Sequence, residues 1–334
     1  MPDRPARGCE EETVMDVSAG LWAATIAVLI ALVVADFFIG GRKPHEVSIK
    51  EAGIWTTVWV VLAGLFGGFV WWYGGSKSGV EFFAGYVTEK SLSVDNLFVF
   101  ILIMGKFAVP KIYQQWVLMF GVIIALVLRA VFIAGGAALV AEFSWVFYFF
   151  GAFLVWTAVK LLGEAGQDKT EEEFEEGRLL RMIKKRVPST DEYHGTKLFV
   201  RIDGRRLMTP MTTVMLAIGT TDMLFALDSI PAIFGLTQDA YIVFTANAFA
   251  LMGLRQLYFL IGGLLTRLVY LSYGLSVILG FIGVKLILHA LHESGVHVPE
   301  IGIAFSLGFI VVVLAVTTVA SLLASRKQDR TADA

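Results

Sequence analysis

Nine stretches of this chain are apolar for about twenty residues at a time, the length a helix needs to cross the hydrocarbon core of a bilayer. They fall at about 17–39, 54–73, 80–104, 113–140, 144–162, 211–235, 240–263, 267–291 and 300–323. In lipid, only helices and closed barrels satisfy all of their backbone polar groups, and unbroken apolar runs of this length are helical. The chain is therefore expected to be an all-α polytopic membrane protein of about nine transmembrane helices. Charged residues are 17% of the 334, against about a quarter in soluble domains. Cys9, the only cysteine, lies in a polar tail, so the sequence offers neither a disulfide framework nor a thiolate metal site. Glu10, Glu11 and Glu12 precede the first run where a cleaved signal would carry basic residues, so that run is read as a retained helix.

Orientation follows from the Lys and Arg residues of the loops. The loop set that includes 40–53, the insert 163–210 and the carboxyl tail carries nineteen, against three in the other set. The amino terminus is thus expected outside, and the insert and carboxyl terminus in the cytoplasm. The insert opens with the acidic and then basic EEEFEEGRLLRMIKKR, read as an exposed amphipathic helix, and ends in KLFVRIDGRRLMTP, where Asp203-Gly204 reads as a hairpin turn.

The chain also repeats itself. Glu89 and Asp95 stand six apart in the third span, and Asp222 and Asp228 stand six apart in the sixth. Arg129 precedes Gly135-Gly136 in the fourth span, as Arg255 precedes Gly262-Gly263 in the seventh. Tyr148 precedes Lys160 by twelve residues in the fifth, as Tyr273 precedes Lys285 in the eighth. The charge count sets the two three-helix units in opposite senses, an inverted repeat of the kind on which secondary transporters are built. The expected divisions are a tail (1–16), two helices (17–79), a first repeat (80–162), the cytoplasmic insert (163–210), a second repeat (211–291) and a final helix with its tail (292–334).

A charge at the bilayer centre costs about 2.5–3.5 kcal/mol, so four acids facing hydrocarbon would cost roughly 10 kcal/mol. Glu89, Asp95, Asp222 and Asp228 must face cations, water, metal or one another. Asp95 and Asp228 occupy matching deep positions beside further oxygen donors, Asn96 and Ser229. Arg129, Arg255 and Lys285 are read as charge compensation for these acids. Lys160 snorkels to the surface, and Asp36 is read as surface-facing. Pro231 removes the helical partner of the Leu227 carbonyl beside Asp228. Two readings stand: an unwound segment that turns both acids into one cavity, or a packing kink.

Carboxylates, an amide and hydroxyls form a hard oxygen set, which favours Mn²⁺, Mg²⁺ or Ca²⁺ over Cu⁺ or Zn²⁺. The same carboxylates could carry protons in exchange. His289, His292 and His297 cluster with Glu293, and are read as a solvated loop rather than a metal site. Neither a nucleophile–His arrangement nor a phosphate-binding Gly loop is present, so the chain is not read as an enzyme, and no permanent cofactor or nucleic acid is expected.

The segments GYVTEKSLSVDNLFVF, TTDMLFALDSIPAIFG, NAFALMGLRQLYFLIGGL and LSYGLSVILGFIGVKLI resemble the signature segments of TerC/Alx integral membrane proteins of the LysE-like transporter superfamily. The resemblance runs from about 80 to 291. It implies a bacterial inner-membrane protein tied to tellurium resistance, with Alx-type members linked to Mn²⁺ export. It also implies that the acidic motifs carry the metal, here Glu89, Asp95, Asn96, Asp222, Asp228 and Ser229. The competing expectation is a membrane scaffold for stress complexes that docks protein partners through residues 163–210.

Overall fold

A computed structural model describes residues 17–40, 47–143, 145–164, 188–190, 192–202, 204–261 and 270–332. The acidic and then basic part of the insert lies outside them, as does the tail with Cys9. In chain order the elements are α1 (Ala19–Gly40), α2 (Ile49–Lys106), α3 (Lys111–Glu142), α4 (Val146–Glu164), β1 (Phe199–Ile202) and β2 (Arg205–Met208). They continue with α5 (Pro210–Phe234), α6 (Ala240–Leu251), α7 (Leu254–Ile261), α8 (Leu271–Glu293) and α9 (Ile303–Ala332). Eight helical segments among the described residues are long and apolar enough to cross a membrane.

One of the eight is doubled. Gly75 breaks α2 with φ 84° and ψ 178°, a backbone conformation that only glycine adopts freely. Beyond it the chain folds back: the backbone at Gly67 lies against Phe83, and that at Gly79 against Trp71. The Phe66 and Phe82 rings meet across the two limbs at 5.4 Å. The second and third expected spans are therefore one helical hairpin that turns on a single residue. Among the described residues each of the nine apolar runs is mainly helical.

The repeat is visible in the packing. Gly85, four residues before Glu89, lies against Ala246 of α6, while Ile218, four residues before Asp222, lies against Gly121 of α3. Gly121 stands eight residues before Arg129 and Ala246 nine before Arg255, so exchanging the two copies turns one contact into the other to within one residue. Helices α3 and α5 run parallel, since Gly121 meets Ile218 and Gly136 meets Phe234. Because α3 turns back sharply from the second limb of α2, that limb and α5, the opening helices of the two copies, run in opposite directions.

Their closing helices, α4 and α8, form the most extensive helix contact among the described residues. Two glycines allow it. A Cβ on Gly151 would stand 2.8 Å from the Gly283 carbonyl oxygen, and a Cβ on Gly283 would stand 2.8 Å from the Gly151 carbonyl oxygen. Small residues at such a crossing let backbones approach closely, the main source of helix affinity in lipid. Gly151→Ala must push two backbones apart, an overpacking cost of about 1–3 kcal/mol. A lowered thermal midpoint of the purified protein is expected, whereas Gly163→Ala, in open space, should leave it unchanged.

At one end of the bundle β1 and β2 pair antiparallel, with Ile202 opposite Arg205; Asp203 of the expected turn lies outside the described residues. The hairpin is fastened down: Thr209 Oγ1 donates to the Lys197 carbonyl at 2.7 Å, Thr212 Oγ1 donates to the Leu198 carbonyl, and Tyr193 Oη donates to the Phe107 carbonyl at 2.8 Å. On the flanks, α1 and α9 expose Val28, Ile30, Val311, Val312 and Val316. Apolar side chains turned outward in this density suit lipid, not water.

The helix break falls elsewhere than at Pro231. Helix α5 continues through Pro231 to Phe234, because a proline removes one hydrogen bond while the next turn resumes, as Gly235 N–H donating to the Pro231 carbonyl at 2.9 Å shows. The interrupted span is the seventh, where α6 ends at Leu251, Gly253 takes φ 78°, and α7 restarts at Leu254.

Candidate functional site

Four helices bring polar side chains to one buried point. Glu89 comes from the second limb of α2, Arg129 from α3, Asp222 from α5 and Asn247 from α6, and each is no more than 1% exposed. The Arg129 Nη1 donates to Glu89 Oε1 and, at 3.3 Å, to Asn247 Oδ1, while Nη2 stands 3.8 Å from Asp222 Oδ1. Ser93, one turn along from Glu89, directs its hydroxyl to Glu89 Oε1 at 3.4 Å. The two acids that the repeat aligns thus meet across one guanidinium, which belongs to the first copy.

Two carboxylates against one guanidinium leave a formal charge of −1 in the middle of the bundle. Glu89 Oε2 and Asp222 Oδ2 are buried without a hydrogen-bond partner, as are Arg129 Nε and Asn247 Nδ2. An orphaned carboxylate oxygen in a dry interior is expensive, and it fits a water or a cation. Among the described residues, no three His, Cys, Asp or Glu side chains are grouped closely enough to hold a metal between them. A cation entering here would therefore meet two acids first and complete its shell with other oxygens.

The remaining expected residues scatter. Asp228 is half-buried and accepts from Thr157 Oγ1 of α4 at 3.2 Å. Six residues turn it about 120° away from Asp222 on an unbroken helix, and the unwinding that would have re-aimed it is not there. Ser229 and Asn96 are buried, and the Ser229 hydroxyl has no partner. Asp95 lies in α2, but its side chain is outside the described residues.

Arg255 does not compensate the site acids: its Nη2 bonds Asp36 Oδ1 of α1 at 2.8 Å, with Gln256 Nε2 on the same oxygen at 3.0 Å. Asp36 is accordingly an interhelical partner and not surface-facing. In the first copy the equivalent arginine has two acids of the repeat within reach. In the second, α1 supplies the acid instead.

Lys285 also sits elsewhere. It lines a cavity of about 350 Å³ at the end of the bundle opposite the β-hairpin, with Lys77, Glu81, Thr237, Asp239 and His289. Thr237 Oγ1 donates to Glu81 Oε2 at 2.7 Å. The histidines take separate partners: His289 faces Gln238 at 2.7 Å, His292 faces Glu300 at 3.6 Å, and His297 is exposed. Sequence reasoning missed Asn247, Glu81 and Lys90. The signal for Asn247 was present, a lone amide in the apolar run TANAFALM.

Comparison with known proteins agrees with this architecture. A protein of Mycobacterium tuberculosis (strain ATCC 25618 / H37Rv), described as an "Uncharacterized membrane protein", is 46% identical over 328 residues, covering 95% of this chain and 83% of its own length. One of Myxococcus xanthus with the same description is 44% identical over 309 residues, 92% of this chain and 94% of that one. A relative in Escherichia coli (strain K12), described as "Putative membrane-bound redox modulator Alx", is 37% identical over 319 residues, 93% of this chain and 96% of its own. No solved structure matches the chain. The family model described as "Integral membrane protein TerC family" matches residues 74–329, from the turn at Gly75 to the last helix, and the chain belongs to that family.

Proposed function

We propose that the chain is a secondary transporter exporting a divalent cation, Mn²⁺ foremost, in exchange for protons, by rocking its two inverted units about the buried acids. The observation that carries this reading is the meeting of Glu89 and Asp222, one from each copy, with orphaned oxygens on both. A carboxylate pair between inverted repeats is where alternating access can expose the same ligands to either side.

The inverted sense of the copies orders the acids along the path. With the basic loops inside, the second limb of α2 runs inward, so Asp95 lies below Glu89. Helix α5 runs outward, so Asp228 lies above Asp222. Six residues of helix are about 9 Å. Asp95 and Asn96 then form an inner station, Glu89 and Asp222 the central one, and Asp228 with Ser229 an outer one. Beyond it the polar cavity beside Glu81 opens outward. Hard oxygen donors and the absence of His or Cys at this depth favour Mn²⁺ over softer metals.

A scaffold acting through the insert is the second reading, favoured by the firm attachment of the β-hairpin and its exposed Arg201, Arg205 and Arg206. The redox description of the relatives finds no thiol pair here, Cys9 being the only cysteine in the sequence. Purified protein in proteoliposomes separates the readings. Mn²⁺ efflux that accelerates with an opposing proton gradient is the expected result, and flux equal to that of protein-free vesicles contradicts export.

A further inference from the structure

Lys90 is a cation with an unusual attachment. It neighbours Glu89 in sequence but not in contact, and among the described residues it has no acidic partner. Its ammonium donates instead to two backbone carbonyls, Ala250 at 2.9 Å and Met252 at 3.2 Å. Both carbonyls belong to the end of α6, where Gly253 at φ 78° interrupts the seventh span. The break is built in: a Cβ on Gly253 would also strike the Trp59 ring at 2.9 Å, so the residue is fixed as glycine both by conformation and by space.

A helix that stops at mid-membrane leaves carbonyls without partners and a partial negative charge at its carboxyl end. Half-helix ends of this kind, together with unwound carbonyls, are where membrane transporters hold small cations. Here the place is taken by a covalently tethered one.

The two copies of the repeat make the association specific. The residue after Asp222, corresponding to Lys90, is Met223, and the corresponding part of α3, around Val127, is continuous helix. The first copy supplies the lysine and the second the break; at the equivalent place, where the second copy has Met223, the first copy's α3 runs unbroken. Among the described residues no acid meets Lys90, and its ammonium is held by the freed carbonyls instead.

We propose that the break between α6 and α7 is a cation site whose resident is the Lys90 ammonium, and that without it the site accepts a monovalent alkali cation, Na⁺ or K⁺. The native protein thus needs no sodium at a position that would otherwise bind it. This stands whether or not the chain exports manganese.

The test is the thermal midpoint of the purified full chain in NaCl, KCl or N-methylglucamine chloride at equal ionic strength and pH. Wild type should give one midpoint in all three. Lys90→Ala should fall in N-methylglucamine and recover by roughly 3 °C or more in Na⁺ or K⁺, as ligand binding to the folded state requires. Lys90→Met, which fills the space with an apolar chain, should fall in all three without recovery. If Lys90→Ala does not accumulate, Lys90→Ser takes its place with the same expectation. A midpoint for the small variant that ignores the cation overturns the proposal. So does an equal rise in wild type or in Lys90→Met, which would make the effect one of salt alone.

Discussion

Arg129→Met is expected to leave almost no folded protein in the membrane. The substitution keeps an unbranched stem but removes the one cation from a cluster in which Glu89 and Asp222 are both fully buried. Breaking a buried ion pair by deleting one partner costs roughly 3–5 kcal/mol, because the other charge stays behind unpaired. Here two stay behind, and the formal charge of the cluster goes from −1 to −2. That loss is comparable to the whole stability of an ordinary domain, about 5–15 kcal/mol.

The same argument predicts a partial rescue. Glu89→Gln added to Arg129→Met returns the cluster to −1 and keeps an amide where Ser93 can reach it, so folded protein should reappear. Fluorescence-detected size exclusion of the two variants in detergent measures this. Equal loss in single and double variants would mean that Arg129 matters for packing rather than for charge.

The second large effect concerns transport. Glu89→Gln alone leaves Arg129 and Asp222 as a balanced pair, so the protein should fold at normal abundance. On the proposed transport function it removes the negative charge of one of the two acids that a passing dication would meet. Altering even the outer partners of a metal ligand changes affinity by about 10–100-fold, so losing a ligand charge should slow Mn²⁺ flux at least about tenfold. Asp222→Asn should behave alike, since the repeat makes the two acids equivalent and the same guanidinium stands between them. Asp228→Asn should slow flux less, because Asp228 turns toward Thr157 and away from the central pair.

Much of the architecture was open to inspection in the sequence because it rests on length and period. Apolar runs of about twenty residues have one stable form in lipid, and the repeat that aligns Glu89 with Asp222 recurs in the packing, where both stand against Arg129. The divergence of Asp228 from Asp222 was implicit in six-residue spacing on a helix. What misled was local chemistry read without its neighbours. Pro231 announces a defect, yet a single missing hydrogen bond does not stop α5. Met252-Gly253 announces little, since isolated glycines are common in membrane helices, and it is there that the span breaks. Arg255 looked like the counterpart of Arg129 and is so by position. Its partner, Asp36, lies 219 residues away on a helix outside the repeat, and no spacing rule reaches that far. The lysine that closes the break could not be told in sequence from one that compensates an acid.

The central claim is that Glu89 and Asp222 handle the exported cation. The most direct measurement is the manganese content of metal-loaded bacteria lacking their own exporter, expressing wild type or Glu89→Gln at matched membrane abundance. The account predicts that wild type lowers cell manganese and Glu89→Gln leaves it near the level of cells with no protein. A wild type that leaves manganese unchanged, or a Glu89→Gln variant that lowers it as far as wild type does, would contradict it.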